Sequence, residues 1–190
     1  MVRWQPGTRE RLQAVALQRF ASHGYDQTTV AEIAAAAEVT ERTFFRHFAD
    51  KAEVLFAGQD GFLAMFTDPI VAAPEGTPPF DLVRLALDAS AAFFPEERRA
   101  WSRARQEIID GNAALGEREL GKLATLKARL GEVLRGRAVP EPVATMAAET
   151  AVTVFHLSFA RWIAADEDRP FAEIAHERVD ALTNLVHPAR

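Results

Sequence analysis

The chain has 190 residues, 48% hydrophobic and 26% charged, the balance of a globular protein. Cysteine is absent, which excludes disulfides, thiolate metal sites and a cysteine nucleophile, and fits a reducing compartment. The net charge of −5 is uneven: residues 1–51 carry seven Lys/Arg against six Asp/Glu, the rest 15 against 21. This is no polybasic coat, so nucleic-acid binding would rest on a few aimed contacts helped by helix N-termini.

Residues 1–6 lack the apolar run of a signal peptide. The longest weakly charged stretch, 149–161, falls short of the roughly 20 apolar residues that cross a bilayer. These features predict a soluble cytoplasmic protein with no membrane partner. Period-2 alternation is missing, while apolar residues recur at helical spacing nearly throughout, so an all-α fold is expected.

Leu12, Val15, Ala16, Arg19 and Phe20 predict a first helix over about 8–22, ended by His23-Gly24. Thr29 and Glu32 form a Thr-x-x-Glu capping box that opens a second helix, carried to about Ala36. Thr40 is a good N-cap for a third. Asp50 through Glu53 repeats the cap spacing and predicts a fourth helix running through Val54, Leu55, Phe62 and Phe66. Residues 67–79, rich in Pro, Gly and Ala, read as a linker between two modules. Pro78 and Pro79 suit the first turn of a helix to about Phe94. Further helices are expected from Pro95 to about Asp110, over about 113–137, and from Pro142 to about Ala165. The last opens at Asp168-Arg169-Pro170 and has Phe171, Ile174, Ala175, Leu182, Leu185 and Val186 on one face.

The second and third helices, about 29–48, read as a helix-turn-helix. Phe44 and Phe48, four apart, belong in a small core with Phe20 and Ile33. Glu41, Arg42 and Phe45 then point outward. Arg42 can fork onto guanine O6 and N7, and Phe45 can pack on a thymine methyl. Thr40 and Thr43 are small enough to let the helix sit close to a groove. Thr28 and Thr29 place hydroxyls and N–H groups at a helix start, where a phosphate binds. His47 and Lys51 stand at the far end, placed to hold the other flank of a DNA backbone.

These residues carry a resemblance. The segment from Leu12 to Phe56 resembles the DNA-binding domain of the TetR family of bacterial transcriptional regulators. The matching positions are Ala16, Phe20, Gly24-Tyr25, Thr28-Thr29-Val30, Ile33-Ala34, Val39-Thr40, Thr43-Phe44-Phe45, His47-Phe48, Lys51 and Leu55. The resemblance implies a DNA-binding domain over 1–56 and a helical ligand-binding and dimerising domain over 57–190. It implies a homodimer on a near-palindromic double-stranded DNA operator, released when a small molecule enters the C-terminal part. Two residues depart from the family pattern. Glu38 stands in the turn where Gly is usual, at roughly 1–2 kcal/mol if left-handed. Phe45 stands where Tyr is common, so a hydroxyl bond to phosphate is unavailable there.

Residues 146–163 form a nearly uniform apolar helix, expected to be buried all round against the last helix. The resemblance implies that these two helices meet their copies in a dimer. Phe62, Phe66, Phe93, Phe94, Trp101, Phe155, Phe159 and Trp162 cluster in the right helices for an apolar or aromatic effector, and Arg105 and His156 are polar groups able to meet it. No metal-ligand spacing, Gly-rich phosphate loop or nucleophile elbow occurs, so neither catalysis nor a cofactor is expected. An all-helical enzyme and a protein-interaction module remain the alternative readings.

Overall fold

The computed structural model describes residues 7–186. The expected absence of a signal run at 1–6 concerns residues outside that range, as do the last four of the chain. The described residues are helical throughout their regular structure. Their contacts divide the chain into two compact units, one of residues 1–58 with 104–119 and one of 59–103 with 120–190. The chain thus returns to its first unit late, a return that the expected domains of 1–56 and 57–190 do not contain.

The first unit holds α1 (Thr8–His23), α2 (Val30–Ala36), α3 (Glu41–His47) and the single turn α4 (Glu53–Phe56). It also takes the end of α7 (Glu96–Asp110) and the start of α8 (Ala113–Gly136). Leu12, Ala16 and Phe20 line one face of α1 and meet Ile33, Ala37, Phe44, Phe48 and Leu55 in a buried core. Each fully buried Leu, Ile or Phe contributes roughly 1.5–3 kcal/mol. Ile109 and Leu115 join this core from the late segment. Arg105 ties that segment in place: its Nε donates to the Leu55 carbonyl at 2.6 Å, and its Nη2 meets Glu119 at 2.7 Å.

The caps expected from sequence are present. Thr29 and Glu32 close a reciprocal capping box, and the Thr40 hydroxyl accepts from the Thr43 N–H at 3.2 Å. Asp50 accepts from the Glu53 N–H at 2.7 Å. The helix it opens ends after one turn, however, because Gly58 takes φ 88 and the chain restarts as α5 (Gln59–Ala72). One expected helix is therefore two. The α2–α3 turn is a Schellman motif: the Val39 N–H reaches the Ala34 carbonyl, and the Glu38 N–H reaches the Ala35 carbonyl. Glu38 sits at its left-handed position with φ 55. Ala138 repeats the arrangement after α8 with φ 59.

The second unit packs α5, α6 (Pro79–Ser90), α9 (Val143–Trp162) and α10 (Phe171–Val186) with the remaining parts of α7 and α8. The expected linker over 67–79 lies inside this unit. Helix α5 continues to Ala72 despite Pro69, because the Phe62, Phe66 and Ile70 stripe is fully buried. That burial outweighs the roughly 3 kcal/mol that an interior proline costs. Glu167, in the α9–α10 loop, is buried between Arg161 at 2.7 Å and Arg169 at 2.8 Å. The Arg169 guanidinium, with the Arg169 N–H, holds its carboxyl well below the usual carboxylate range.

Helix α9 corrects two expectations. It has 20 residues and is apolar enough to cross a membrane by length and composition, which the count over 149–161 missed. It packs instead on α6 and α10, with Ala144, Ala148, Ala151, Phe155 and Trp162 buried. Nor is it buried all round, since Val143, Met146 and Leu157 are exposed. On α10, Phe171, Ile174 and Ala175 are buried as expected, whereas Leu185 is 80% exposed. The Val186 side chain lies outside the described residues.

Candidate nucleic-acid interface

Helix α3 is seven residues long and owes its orientation to Phe44, which is fully buried, and to Phe48 at its C-cap. With those two rings inward, Thr40, Glu41, Arg42, Phe45 and Arg46 are exposed. Phe45 is 52% exposed, held edge-on against Phe44 at 5.4 Å between ring centres. The other exposed residues of α3 are Glu41, Arg42 and Arg46, so Phe45 is a solitary apolar tip on that helix. Arg46 lies one turn beyond Arg42 on the same face. Sequence reasoning passed over Arg46, although the four-residue spacing was the signal for it. Thr43 is half-buried, and its hydroxyl is 3.1 Å from that of Thr40. The exposed surface thus offers two guanidinium groups and one aromatic edge around a small, capped helix start. That combination suits the floor of a major groove.

Other expected contacts have structural duties. The Thr28 side chain is buried, and its hydroxyl donates to the Gly24 carbonyl at 2.8 Å, which fixes the loop after α1. The Thr29 N–H and hydroxyl both donate to Glu32, at 2.8 and 2.9 Å, so the capping box uses the donors expected to meet phosphate. These two bonds keep the Glu32 carboxyl below its ordinary range. Lys51 is a staple: its Nζ donates to the carbonyls of Tyr25 at 2.7 Å and Thr28 at 2.9 Å, and lies 4.2 Å from the Tyr25 ring centre. A phosphate reaching it would compete with two charge-assisted bonds and a cation–π contact. His47 is half-buried, with its Nε2 turned away from water.

In the second unit, seven of the ten residues expected around an effector come together. Phe62 and Phe66 meet Phe155 at 5.6 and 5.1 Å between ring centres, Phe93 meets Phe62 at 6.2 Å, and Phe159 meets Phe155 at 6.0 Å. Phe94, Trp162 and Phe171 complete the cluster. Phe171 was legible only as a core position, because the contact depends on how α10 packs. Arg105 is absent from this group, being spent in the first unit on Leu55 and Glu119. His156 points to solvent from the exposed side of α9. Trp101 pairs with Arg98 at 5.4 Å rather than with the phenylalanines. Among the described residues, no group of three His, Asp or Glu side chains is placed to hold a metal ion.

Two family models match the chain. Residues 12–57 match the family model described as bacterial regulatory proteins of the tetR family. Residues 77–187, more than half of the chain, match the TetR-class model described as the MftR C-terminal domain. The HTH-type transcriptional regulator TcmR of Streptomyces glaucescens is 40% identical over 82 residues, 43% of this chain and 36% of that protein. The chain therefore aligns with little over a third of that relative. A TetR-family regulator from Mesorhizobium loti superposes with a TM-score of 0.61 at 19% identity, covering 94% of this chain and 96% of that one. The Bacillus subtilis regulator FadR, in complex with stearoyl-CoA, superposes with a TM-score of 0.62 at 14% identity, covering 91% and 96%.

Proposed function

The chain belongs to the TetR family of bacterial regulatory proteins and is a transcriptional regulator, and on that premise we propose that it is a repressor working as a homodimer in the cytoplasm, on a near-palindromic operator that a small apolar or aromatic effector makes it release. The observation that carries this reading is the exposed tip of α3, with Arg42, Phe45 and Arg46 outward and Phe44 and Phe48 inward. In this reading Arg42 forks onto a guanine and Phe45 covers a thymine methyl, with Thr40, Glu41 and Thr43 at the rim. His47 contributes only the exposed part of its ring.

The homodimer is supported by the exposed apolar residues of α9 (Val143, Met146 and Leu157) and by Leu185 on α10. Exposed apolar side chains along two adjacent packed helices suit a self-complementary interface. The effector class is supported by the aromatic cluster around Phe62, Phe66, Phe93, Phe155 and Phe159. FadR, of like fold, holds a fatty acyl-CoA, which agrees with an apolar body for the effector here. Release needs an effector coupling of about 1–3 kcal/mol, a 5–150-fold loss of operator affinity. The test is selection of bound sequences from random duplex DNA. The expected product is an inverted repeat, bound with an affinity that falls steeply with salt. Enrichment of a single unpaired half-site contradicts the homodimer, and no enrichment contradicts the reading as a whole.

A further inference from the structure

Among the described residues, three buried side-chain nitrogens have no hydrogen-bond partner: His47 Nε2, Arg99 Nε and Trp162 Nε1. His47 belongs to the first unit. The other two lie together in the second, with the Arg99 guanidinium carbon 5.3 Å from the centre of the Trp162 ring. Arg99 is 5% exposed and Trp162 is fully buried. Roughly nine in ten buried polar groups find a partner, because an unmet donor keeps the whole cost of leaving water. Two unmet donors on residues that lie this close therefore call for an acceptor.

Neither group is free to turn toward another partner. Arg99 Nη1 donates to the Glu167 carbonyl, and Nη2 donates to the Arg169 carbonyl and pairs with Glu96 at 2.7 Å. The guanidinium is thereby fixed, and its Nε–H is the donor left over. The Trp162 ring is wedged between Phe94 at 5.6 Å and Phe159 and Phe171 at 6.1 Å. Ser102, three residues after Arg99 on the same face of α7, is another buried polar side chain. The surroundings are otherwise aromatic, and half-buried Phe159 brings this end of the cluster to the surface.

We propose that Arg99 Nε–H and Trp162 Nε1–H together receive one oxygen of a ligand with an apolar body, either a carboxylate or a neutral carbonyl. Two donors and no free acceptor exclude an ammonium head group. The oxygen sits against a guanidinium, where hydrogen bonds are charge-assisted. The apolar remainder of the ligand lies among Phe94, Phe159 and Phe171. This site rests on the proposal that the second unit holds the effector, and it adds a polar end to a ligand otherwise defined only as apolar.

The test uses the full chain, labelled with ¹⁵N and free of DNA. The Trp162 indole signal is assigned by elimination, the other two indole signals being lost in Trp4→Phe and Trp101→Phe. Octanoate, octan-2-one and octane are titrated in turn. Octanoate or octan-2-one should move the Trp162 indole proton downfield, and octane should not. Tighter binding of octanoate identifies a carboxylate, and equal or tighter binding of octan-2-one a neutral carbonyl. Trp162→Phe and Arg99→Lys should each weaken the oxygen-bearing probe about tenfold while leaving octane unchanged. The proposal is overturned if neither oxygen-bearing probe moves the indole signal, or if octane moves it as far. That titration decides by itself even if neither variant folds. Whether octanoate also releases operator is a separate measurement. Failure there contradicts its role as effector and leaves the binding site standing.

Discussion

Helix α3 buries Phe44 and leaves Arg42, Phe45 and Arg46 in water, whereas α9 buries Ala148, Phe155 and Trp162 and leaves Val143, Met146 and Leu157 in water. Both helices spend one face on a local core. The faces that remain differ in chemistry, and so in the partners they fit. Guanidinium forks suit base edges and phosphates, which offer fixed acceptors. A row of apolar side chains offers no directional bond and is satisfied only by another apolar surface. The buried faces explain why each unit folds, and the exposed faces are the ones left to meet a partner.

The sharpest way to break the comparison is to give α9 the charge that α3 carries. Met146→Glu with Leu157→Glu should leave the fold intact, since exposed substitutions usually cost within about 0.5 kcal/mol. If the proposed homodimer forms through α9, the same pair should abolish it and reduce operator affinity by at least about a hundredfold, because two linked half-sites become one. Sedimentation and gel shift read the two effects separately. An unchanged dimer removes α9 from the interface.

Lys51 sharpens the difference between contacting DNA and supporting the element that does. Lys51→Met removes two bonds to main-chain carbonyls. It should lower unfolding free energy by about 2 kcal/mol. Operator affinity should fall while the slope of log affinity against log salt stays constant. A slope smaller by about one unit identifies Lys51 as a phosphate contact instead.

Much of the first unit was legible because its signals are local. The Thr29–Glu32 box and the Thr40 and Asp50 caps act within one turn, while the left-handed position at Glu38 was legible only through the Gly usual there in the family that the segment resembles. The errors at Lys51 and Arg105 share a cause, which is distance along the chain. Lys51 looked like a surface cation because nothing nearby announces that the carbonyls of Tyr25 and Thr28 fold over it. Arg105 looked like a ligand contact until Leu55, fifty residues earlier, claimed its guanidinium. The break at Gly58 carries no proline or paired glycine to mark it. In the second unit the aromatic residues were legible as a set, but which of them touch was not, since α5, α6, α9 and α10 all contribute.

Smaller effects follow at the left-handed positions. Glu38→Gly, and separately Ala138→Gly, should each raise unfolding free energy by about 1 kcal/mol, measured by urea denaturation, because glycine adopts this conformation without the Cβ clash. Smallest is an acid-side effect at Glu167. Its carboxyl is held below the usual range by Arg169, so its contribution is fully present above about pH 4, the unfolded carboxylate value, and fades as pH falls toward its folded value. Glu167→Gln should flatten the acid limb of melting temperature against pH, and an unchanged limb rules out this ionic support.

The most direct test of the exposed α3 tip is the base preference of Arg42→Ala beside that of the parent chain, each obtained by selection from random duplex DNA. The variant should lose about 1–3 kcal/mol of discrimination at one guanine in each half-site and keep its preferences elsewhere. An unaltered sequence preference would show that the outward face of α3 does not read DNA.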